Sequence, residues 1–229
     1  MSRTAEDVSQ SYRDALADEI QAEARDTTSW TGRTAFDERV MAAIRTVPRH
    51  AFIPEAVPLA VAYANRPQPI GHGQTISQPY IVALMTDLLD LGDDARVLEV
   101  GAGCGYQSAV LAEIAAEVYA VERLEPLAEG ARATLKRLGY DNVHLTCADG
   151  TEGWAEHAPY DGILVTACFD GPVPRALTDQ LRPGGRIVIP LGPRWGPQML
   201  HLGFKDAEGR FHHQPVLAVA FVPLVTGRE

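Results

Sequence analysis

The second half of the chain alternates short apolar runs with helical stretches, and this alternation restricts the fold more than any other feature. The runs are continuous in apolar character, which is typical of strands buried on both faces of a parallel sheet. The sequence therefore predicts a doubly wound α/β fold with a mostly parallel sheet. We predict strands at 97–100, 118–121, 143–146, 163–165 and 187–189, and helices at 107–117 and 124–138.

The N-terminal part of the chain predicts two helices followed by a long loop. Apolar positions at helical spacing indicate helices over 8–24 and 36–47, the second ending before Pro48. The stretch 54–73 contains four prolines and is predicted to be irregular. Because loops of this length are uncommon in a compact domain unless they bind something, we expect it to border a site.

The last part of the chain predicts a β-hairpin. After Gly192, alternating segments at 199–204 and 216–221 flank the turn-forming residues 206–209. We expect this hairpin to complete the sheet.

Charge, cysteine content and hydropathy exclude several classes of protein. Lys and Arg total 20 against 30 Asp and Glu, a formal charge of -10, so a phosphate backbone offers no electrostatic gain and we expect no nucleic-acid partner. The three cysteines form no CxxC pair, which favours a reducing, cytoplasmic compartment. No stretch is apolar enough to span a membrane, and the polar N-terminus lacks the apolar core of a targeting signal.

A glycine-rich loop directly follows the strand predicted at 97–100. At the carboxyl end of a strand in an open α/β sheet, glycines let the backbone approach a nucleotide-like ligand. Glu122 ends the next strand, where a carboxylate can accept hydrogen bonds from a ribose diol. Alternatively, the loop is only a turn from strand to helix, in which the glycines are needed for steric reasons and bind no ligand. The loop reads Gly101-Ala102-Gly103-Cys104-Gly105.

The glycine spacing favours S-adenosylmethionine over a dinucleotide. Dinucleotide sites use GxGxxG, whose third glycine permits tight helix packing beneath a pyrophosphate, whereas this loop reads GxGxG and Tyr106 follows it. S-adenosylmethionine has a ribose and an adenine but no phosphate, so the shorter loop suits it. Asp149, which precedes Gly150 after the third strand, either accepts a hydrogen bond from the adenine amino group or only forms an Asx turn.

Several motifs together resemble known families. The glycine loop, Glu122, Asp149-Gly150 and LRPGGR (181–186) are similar to motifs of class I methyltransferases, which use S-adenosylmethionine. More specifically, VPRHAFIP (47–54) and GQTISQPY (73–80) resemble signatures of protein-L-isoaspartate O-methyltransferases. The resemblance spans about 36–224.

The resemblance implies methyl transfer from S-adenosylmethionine to the free α-carboxylate of L-isoaspartyl residues in damaged proteins and peptides, which initiates their repair. It implies Ser77 as the catalytic serine. From the residues alone, Thr75 with Gln78 also predicts a helix capping box, and Ser77 is itself a good N-cap, so a structural role stays open. The implied substrate-binding residues are Thr75, Ile76 and Gln78, and the implied cofactor-binding residues are Gly101, Ala102, Gly103, Glu122, Asp149 and Gly150.

On this interpretation the chain is one methyltransferase domain over 1–229. Residues 1–80 form N-terminal helices and a substrate-side loop, 81–192 the cofactor-binding α/β core, and 193–229 the C-terminal hairpin. We expect isoaspartyl proteins as partners and a monomer. No metal is expected, because the seven histidines are scattered without ligand spacing. Cys168 is expected to be a small buried residue and not a nucleophile.

Three departures from the family's pattern bear on the substrate. Segment 25–34, which contains Trp30, looks longer than usual; residues 168–171 read CFDG where small residues and prolines are common; and Trp195 stands in a glycine-rich turn. These differences keep two alternatives open. One is a related carboxyl methyltransferase acting on a dedicated peptide or small carboxylate, and the other is a module that binds S-adenosylmethionine without turnover.

Overall fold

The computed structural model describes residues 5–193 and 196–225. Helix α1 (Ala5–Asp26), the short α2 (Thr28–Thr31) and α3 (Glu38–Thr46) open the chain, which confirms the two predicted long helices. Helix α3 begins after Asp37 because this carboxylate accepts the N–H of Arg39 at 2.7 Å.

The proline-rich stretch after α3 is more ordered than the sequence predicts. It contains helix α4 (Leu59–Ala62) and strand β1 (Gln68–Gly71), which pairs antiparallel with β2 (Gln74–Ile76) in a separate two-stranded sheet. The prediction of an irregular loop was wrong here. Each strand of a two-stranded ribbon is an edge strand, so Pro69 can lie in β1 although it has no N–H to donate.

Helix α5 (Pro79–Leu89) begins later than the capping pattern predicts. Thr75 lies in β2, and Gln78 occupies the N-cap position without making a side-chain cap bond. Pro79 takes the first helical turn, where its fixed φ fits and its missing N–H is not needed. The capping roles predicted for Thr75 and Ser77 were therefore wrong.

Seven strands form the main sheet, in the order β5-β4-β3-β6-β7-β8-β9. Strands β3 to β7 pair in parallel, and β8 and β9 extend the sheet antiparallel. This confirms the doubly wound, mostly parallel α/β fold and the terminal hairpin. The strands are β3 (Arg96–Val100), β4 (Glu117–Glu122), β5 (Val143–Cys147), β6 (Tyr160–Val165), β7 (Leu181–Leu191), β8 (Gln198–Lys205) and β9 (Phe211–Val219).

Apolar clusters cover both faces of the sheet. Side chains alternate along β3, so Val97 belongs to the cluster that includes α1, α3, α5 and helix α6 (Tyr106–Ala112), whereas Leu98 belongs to the cluster that includes helix α8 (Arg175–Gln180). Helix α7 (Glu125–Leu138) joins β4 to β5. None of the described helices is long and apolar enough to cross a membrane.

The strand order reverses beside β3. The chain runs outward from β3 to β4 and β5 and then returns to β6 on the other side of β3. The loops that leave β3 and β6 therefore diverge and open a crevice at the carboxyl edge, which is where open α/β sheets bind ligands. Gly101 follows β3 and Thr166 follows β6, so both border this crevice.

Candidate active site

A cleft opens at the carboxyl ends of β3, β4 and β6. Its walls are mostly apolar and carry a few polar groups, which is the composition usual for small-molecule sites. Most of the predicted site residues line it: Thr75, Ile76 and Ser77 before α5, and Gly101, Ala102, Gly103, Glu122 and Gly150 around the sheet. Gln78 borders an adjoining cavity instead, and Asp149 is not among the lining residues but caps the 3-10 turn that begins at Gly150.

Gly101 turns the chain from β3 into the glycine loop. Its φ is 91°, its N–H donates to the carbonyl of Val121 at 2.8 Å, and a Cβ there would lie 2.6 Å from Thr166 Oγ1. Both backbone conformation and space thus require glycine. Gly103 has a φ of 56°, but its Cβ would meet Ile70 Cδ1 at an ordinary 3.4 Å, so only its conformation favours glycine.

Glu122 links β4 to the glycine loop. The side chain is buried, and its carboxylate accepts the N–H of Gly103 at 2.7 Å and the N–H of Leu124 at 2.9 Å. A carboxylate has about four lone-pair sites, so two backbone donors leave capacity for a ligand. Glu122 therefore shapes the loop as well as facing the cleft, a role that the sequence did not predict.

Glu99 in β3 lines the cleft, although the sequence did not predict it as a candidate site residue. It is fully buried; Ser108 Oγ donates to its Oε2, and its Oε1 has no hydrogen-bond partner among the described residues. Burial raises the pKa of this carboxyl from 4.5 to about 7, and the nearby Glu122 adds to the rise while Ser108 opposes it. The sequence does contain a signal for it, because Glu99 is the one acid within the apolar run 97–100.

Asp149 forms the turn that the sequence left open. Its carboxylate accepts the N–H of Thr151 at 3.0 Å and the hydroxyl of the same residue at 2.7 Å, capping a short 3-10 turn. A Cβ on Gly150 would lie 2.4 Å from Val100 Cγ1, so glycine is required at this wall of the cleft. Contact between Asp149 and an adenine stays a prediction.

Ser77 lies where the main cleft meets the adjoining cavity, because it lines both. It precedes the N-cap of α5, and within residues 5–193 and 196–225 its hydroxyl makes no hydrogen bond. The cap that was the structural alternative for Ser77 is absent from this helix start. Ser77 is half-buried and faces the cleft.

The CFDG segment shapes the cleft from behind. The N–H of Cys168 donates to the carbonyl of Val222 at 2.8 Å, and the N–H of Leu224 donates to the carbonyl of Cys168 at 2.7 Å. This pairing holds Val222 and Leu224 against the cleft. Burial raises the pKa of the Cys168 thiol and Asp170 adds to the rise, which does not suit a nucleophile.

The other two departures from the family's pattern involve Trp30 and Trp195, and the structure describes only the first. Trp30 lies on α2 with 65% of its surface exposed, whereas Trp195 lies outside the described residues. In the part of the chain that the structure describes, no group of three or more His, Cys, Asp or Glu is arranged to hold a metal ion.

Comparison with known proteins gives a consistent result. A family model described as Protein-L-isoaspartate(D-aspartate) O-methyltransferase (PCMT) matches residues 29–229. Protein-L-isoaspartate O-methyltransferase 2 of Syntrophobacter fumaroxidans is 55% identical over 215 residues, which is 94% of this chain and 86% of that protein. Protein-L-isoaspartate O-methyltransferase 2 of a Polaromonas species is 54% identical over 214 residues, covering 93% of this chain and 100% of that protein.

Two solved structures share the fold. One, a protein-L-isoaspartate O-methyltransferase, matches 92% of this chain with a TM-score of 0.80 and 28% identity, and the match spans 65% of that longer chain. A Plasmodium falciparum structure, whose description names the same family and a complex with S-adenosyl-L-homocysteine, has a TM-score of 0.74 at 23% identity. It covers 93% of this chain and 98% of its own. At that identity the second match supports the fold alone.

Proposed function

The chain belongs to the protein-L-isoaspartate(D-aspartate) O-methyltransferase family, and from that membership we propose that it methylates the free α-carboxylate of L-isoaspartyl residues in damaged proteins and peptides. This reaction initiates the repair of such residues. The observation that carries the proposal is the continuity of the cleft: its walls run from the glycine loop and Glu122 to Ser77.

The residues of the cleft fit S-adenosylmethionine, which when bound supplies a methyl group on a sulfonium. The backbone of 101–103 would lie against it, Glu122 would accept hydrogen bonds from its ribose, and Gly150 would leave room for its adenine beside Asp149. The unpartnered Oε1 of Glu99 is a buried acceptor suited to the ligand's ammonium group. A related fold has been solved with the demethylated product S-adenosyl-L-homocysteine.

The acceptor needs alignment and not a base. A carboxyl group with a pKa near ~4 is already ionised at neutral pH. Ser77 is proposed to hydrogen-bond this carboxylate, and Thr75, Ile76 and Gln78 form the wall beside it. Correct positioning of two reactants can supply ~7–11 kcal/mol of the barrier reduction in an enzyme.

The relatives do not favour the two alternatives. Proteins about half identical over most of the chain carry the name protein-L-isoaspartate O-methyltransferase. We further propose a single domain over 1–229 that works as a cytoplasmic monomer without nucleic-acid or membrane partners. The net charge of -10 and the three free thiols support this setting.

The proposed function is tested with a synthetic peptide that contains one isoaspartyl residue. Incubation with S-adenosylmethionine should add the mass of one methyl group, and the ester should form more slowly when Ser77→Ala replaces the parent. Binding of S-adenosyl-L-homocysteine without any transfer would support a non-catalytic module. Transfer only to other carboxyl compounds in a side-by-side panel would support the related methyltransferase.

A further inference from the structure

The C-terminal end of α1 contacts the loop that carries Ser77. The carboxylate of Glu23 accepts N–H groups from Asn65 Nδ2 at 2.7 Å and from Gln78 Nε2 at 3.3 and 3.4 Å. We propose that Glu23 is a positioning residue, which holds Ser77 and Gln78 in the orientation that the acceptor carboxylate requires. This inference rests on the proposed methyl transfer, and it concerns a helix that precedes the family match at 29–229.

Asn65 connects Glu23 to the first turn of α5 through two hydrogen bonds. Its Nδ2 donates to Glu23, and its Oδ1 accepts the N–H of Tyr80 at 2.9 Å. Since Gln78 makes no side-chain cap bond, Asn65 supplies the acceptor that a local Ser or Asp usually provides. Glu23 also fixes which way the Asn65 amide points, because a carboxylate accepts only from the NH₂ side.

A second contact joins the same two segments. Thr27 Oγ1 lies 2.6 Å from the hydroxyl of Tyr80, and the buried Tyr80 ring packs against Phe36. Glu23 and Thr27 are four residues apart, so they meet the start of α5 from one face of the α1 end. Thr27 and Phe36 hold α5 in place through Tyr80. Glu23 is therefore the group that orients Ser77 and Gln78, the residues just before α5.

Gln78 shows why the orientation matters. It borders the cavity that adjoins the main cleft, next to Ser77, yet its side-chain amide is directed to Glu23. Loss of Glu23 would leave the amides of both Asn65 and Gln78 without their acceptor, and they would seek other partners. Among the described residues the Ser77 hydroxyl makes no hydrogen bond, so its position depends on the neighbouring Gln78.

Kinetics of Glu23→Ala test the proposal, with rates expressed per S-adenosyl-L-homocysteine binding site so that unfolded protein is not counted. We expect kcat/KM for an isoaspartyl peptide to fall by about tenfold to a hundredfold, the effect of misplacing a reacting group by up to ~1 Å. The affinity for S-adenosyl-L-homocysteine should stay within about twofold, because Glu23 is not among the residues that line the cleft with the glycine loop. Glu19→Ala is the matched control: Glu19 is exposed one turn earlier on α1, and its loss should leave kcat/KM within about twofold.

Hydrogen exchange provides a readout that does not need activity. In Glu23→Ala the amide of Tyr80, which donates to Asn65 Oδ1, should exchange at least about tenfold faster than in the parent, whereas the amides of the glycine loop should not change. Glu23→Gln keeps the volume and one acceptor oxygen, so it should give an intermediate effect and replaces Glu23→Ala if that variant does not fold. An inactive parent would refute the proposed function. Hydrogen exchange would even then show whether Glu23 holds the start of α5 in place. Unchanged exchange at the amide of Tyr80, or unchanged kcat/KM per binding site in an active enzyme, would overturn the proposal.

Discussion

The raised pKa of Glu99 makes the stability of the protein depend on pH, and this dependence can be measured without any substrate. The carboxyl is fully buried, and burial raises its pKa from 4.5 to about 7 because the charged form is disfavoured. In the unfolded chain the group titrates at its ordinary value. Between these two pH values the folded protein retains a proton that the unfolded chain has released, so the stability falls as the pH rises from about 4.5 to about 7 and then levels off.

Replacing Glu99 by Gln should remove this pH-dependent loss. A rise of the pKa from 4.5 to about 7 corresponds to ~3 kcal/mol of stability lost across the whole range. Most of this loss occurs between pH 5 and pH 8. The free energy of unfolding of the variant, relative to that of the parent, should therefore be about 2–3 kcal/mol higher at pH 8 than at pH 5. Gln keeps the size of the side chain and an oxygen that accepts the Ser108 hydroxyl, so packing changes little.

Urea unfolding of Glu99→Gln and the parent at both pH values measures the difference. Subtracting the parent from the variant at each pH cancels every titration that the two proteins share. A variant-minus-parent stability that is equal at pH 5 and pH 8, or smaller at pH 8, would refute the buried-acid reasoning. At pH 8 the same variant should bind S-adenosyl-L-homocysteine more weakly by roughly 1.5–3 kcal/mol, since the ammonium loses its charged partner.

Three further substitutions separate binding, turnover and structure. Ser77→Ala should lower kcat but leave the melting temperature and the affinity for S-adenosyl-L-homocysteine unchanged, because Ser77 caps no helix; a lower melting temperature with unchanged kcat would favour a structural role. Glu122→Ala should weaken that affinity by on the order of 1.5–3 kcal/mol in a calorimetric titration, and unchanged affinity would contradict the ribose assignment. Cys168→Ala should retain methylation per binding site, whereas abolished turnover in a protein that still binds would indicate covalent catalysis.

The sheet and the glycine loop could be predicted from the sequence because their signals are local. Strands buried on both faces appear as continuous apolar runs, so β3 to β6 lie within a few residues of their predicted positions. The acid that ends β4 and the glycines that follow β3 meet because parallel strands end at one edge of the sheet. Glu99 stands out in the sequence as one acid within the apolar run of β3, but its full burial becomes evident only once both faces of the sheet are covered.

The start of α5 could not be predicted because its acceptor is not local. Capping rules use side chains within a few residues of the helix, whereas the N–H of Tyr80 is met by Asn65, 15 residues earlier. Glu23 is further still, 42 residues from Asn65 and 55 from Gln78, so no spacing rule connects them. Strand β1 was missed because a short edge strand that contains Pro69 carries too weak a pattern.

The substrate assignment is tested most directly by the ratio of methylation rates for two peptides that differ only in isoaspartate against aspartate. In isoaspartate the free α-carboxylate is attached to Cα, whereas in aspartate the free carboxylate lies one methylene further out. A misplacement of ~1 Å can cost about a hundredfold in a reaction that depends on alignment. We predict a ratio of at least about that size across neutral pH and without added metal. Equal rates, or methylation of a different carboxylate alone, would contradict the isoaspartate assignment.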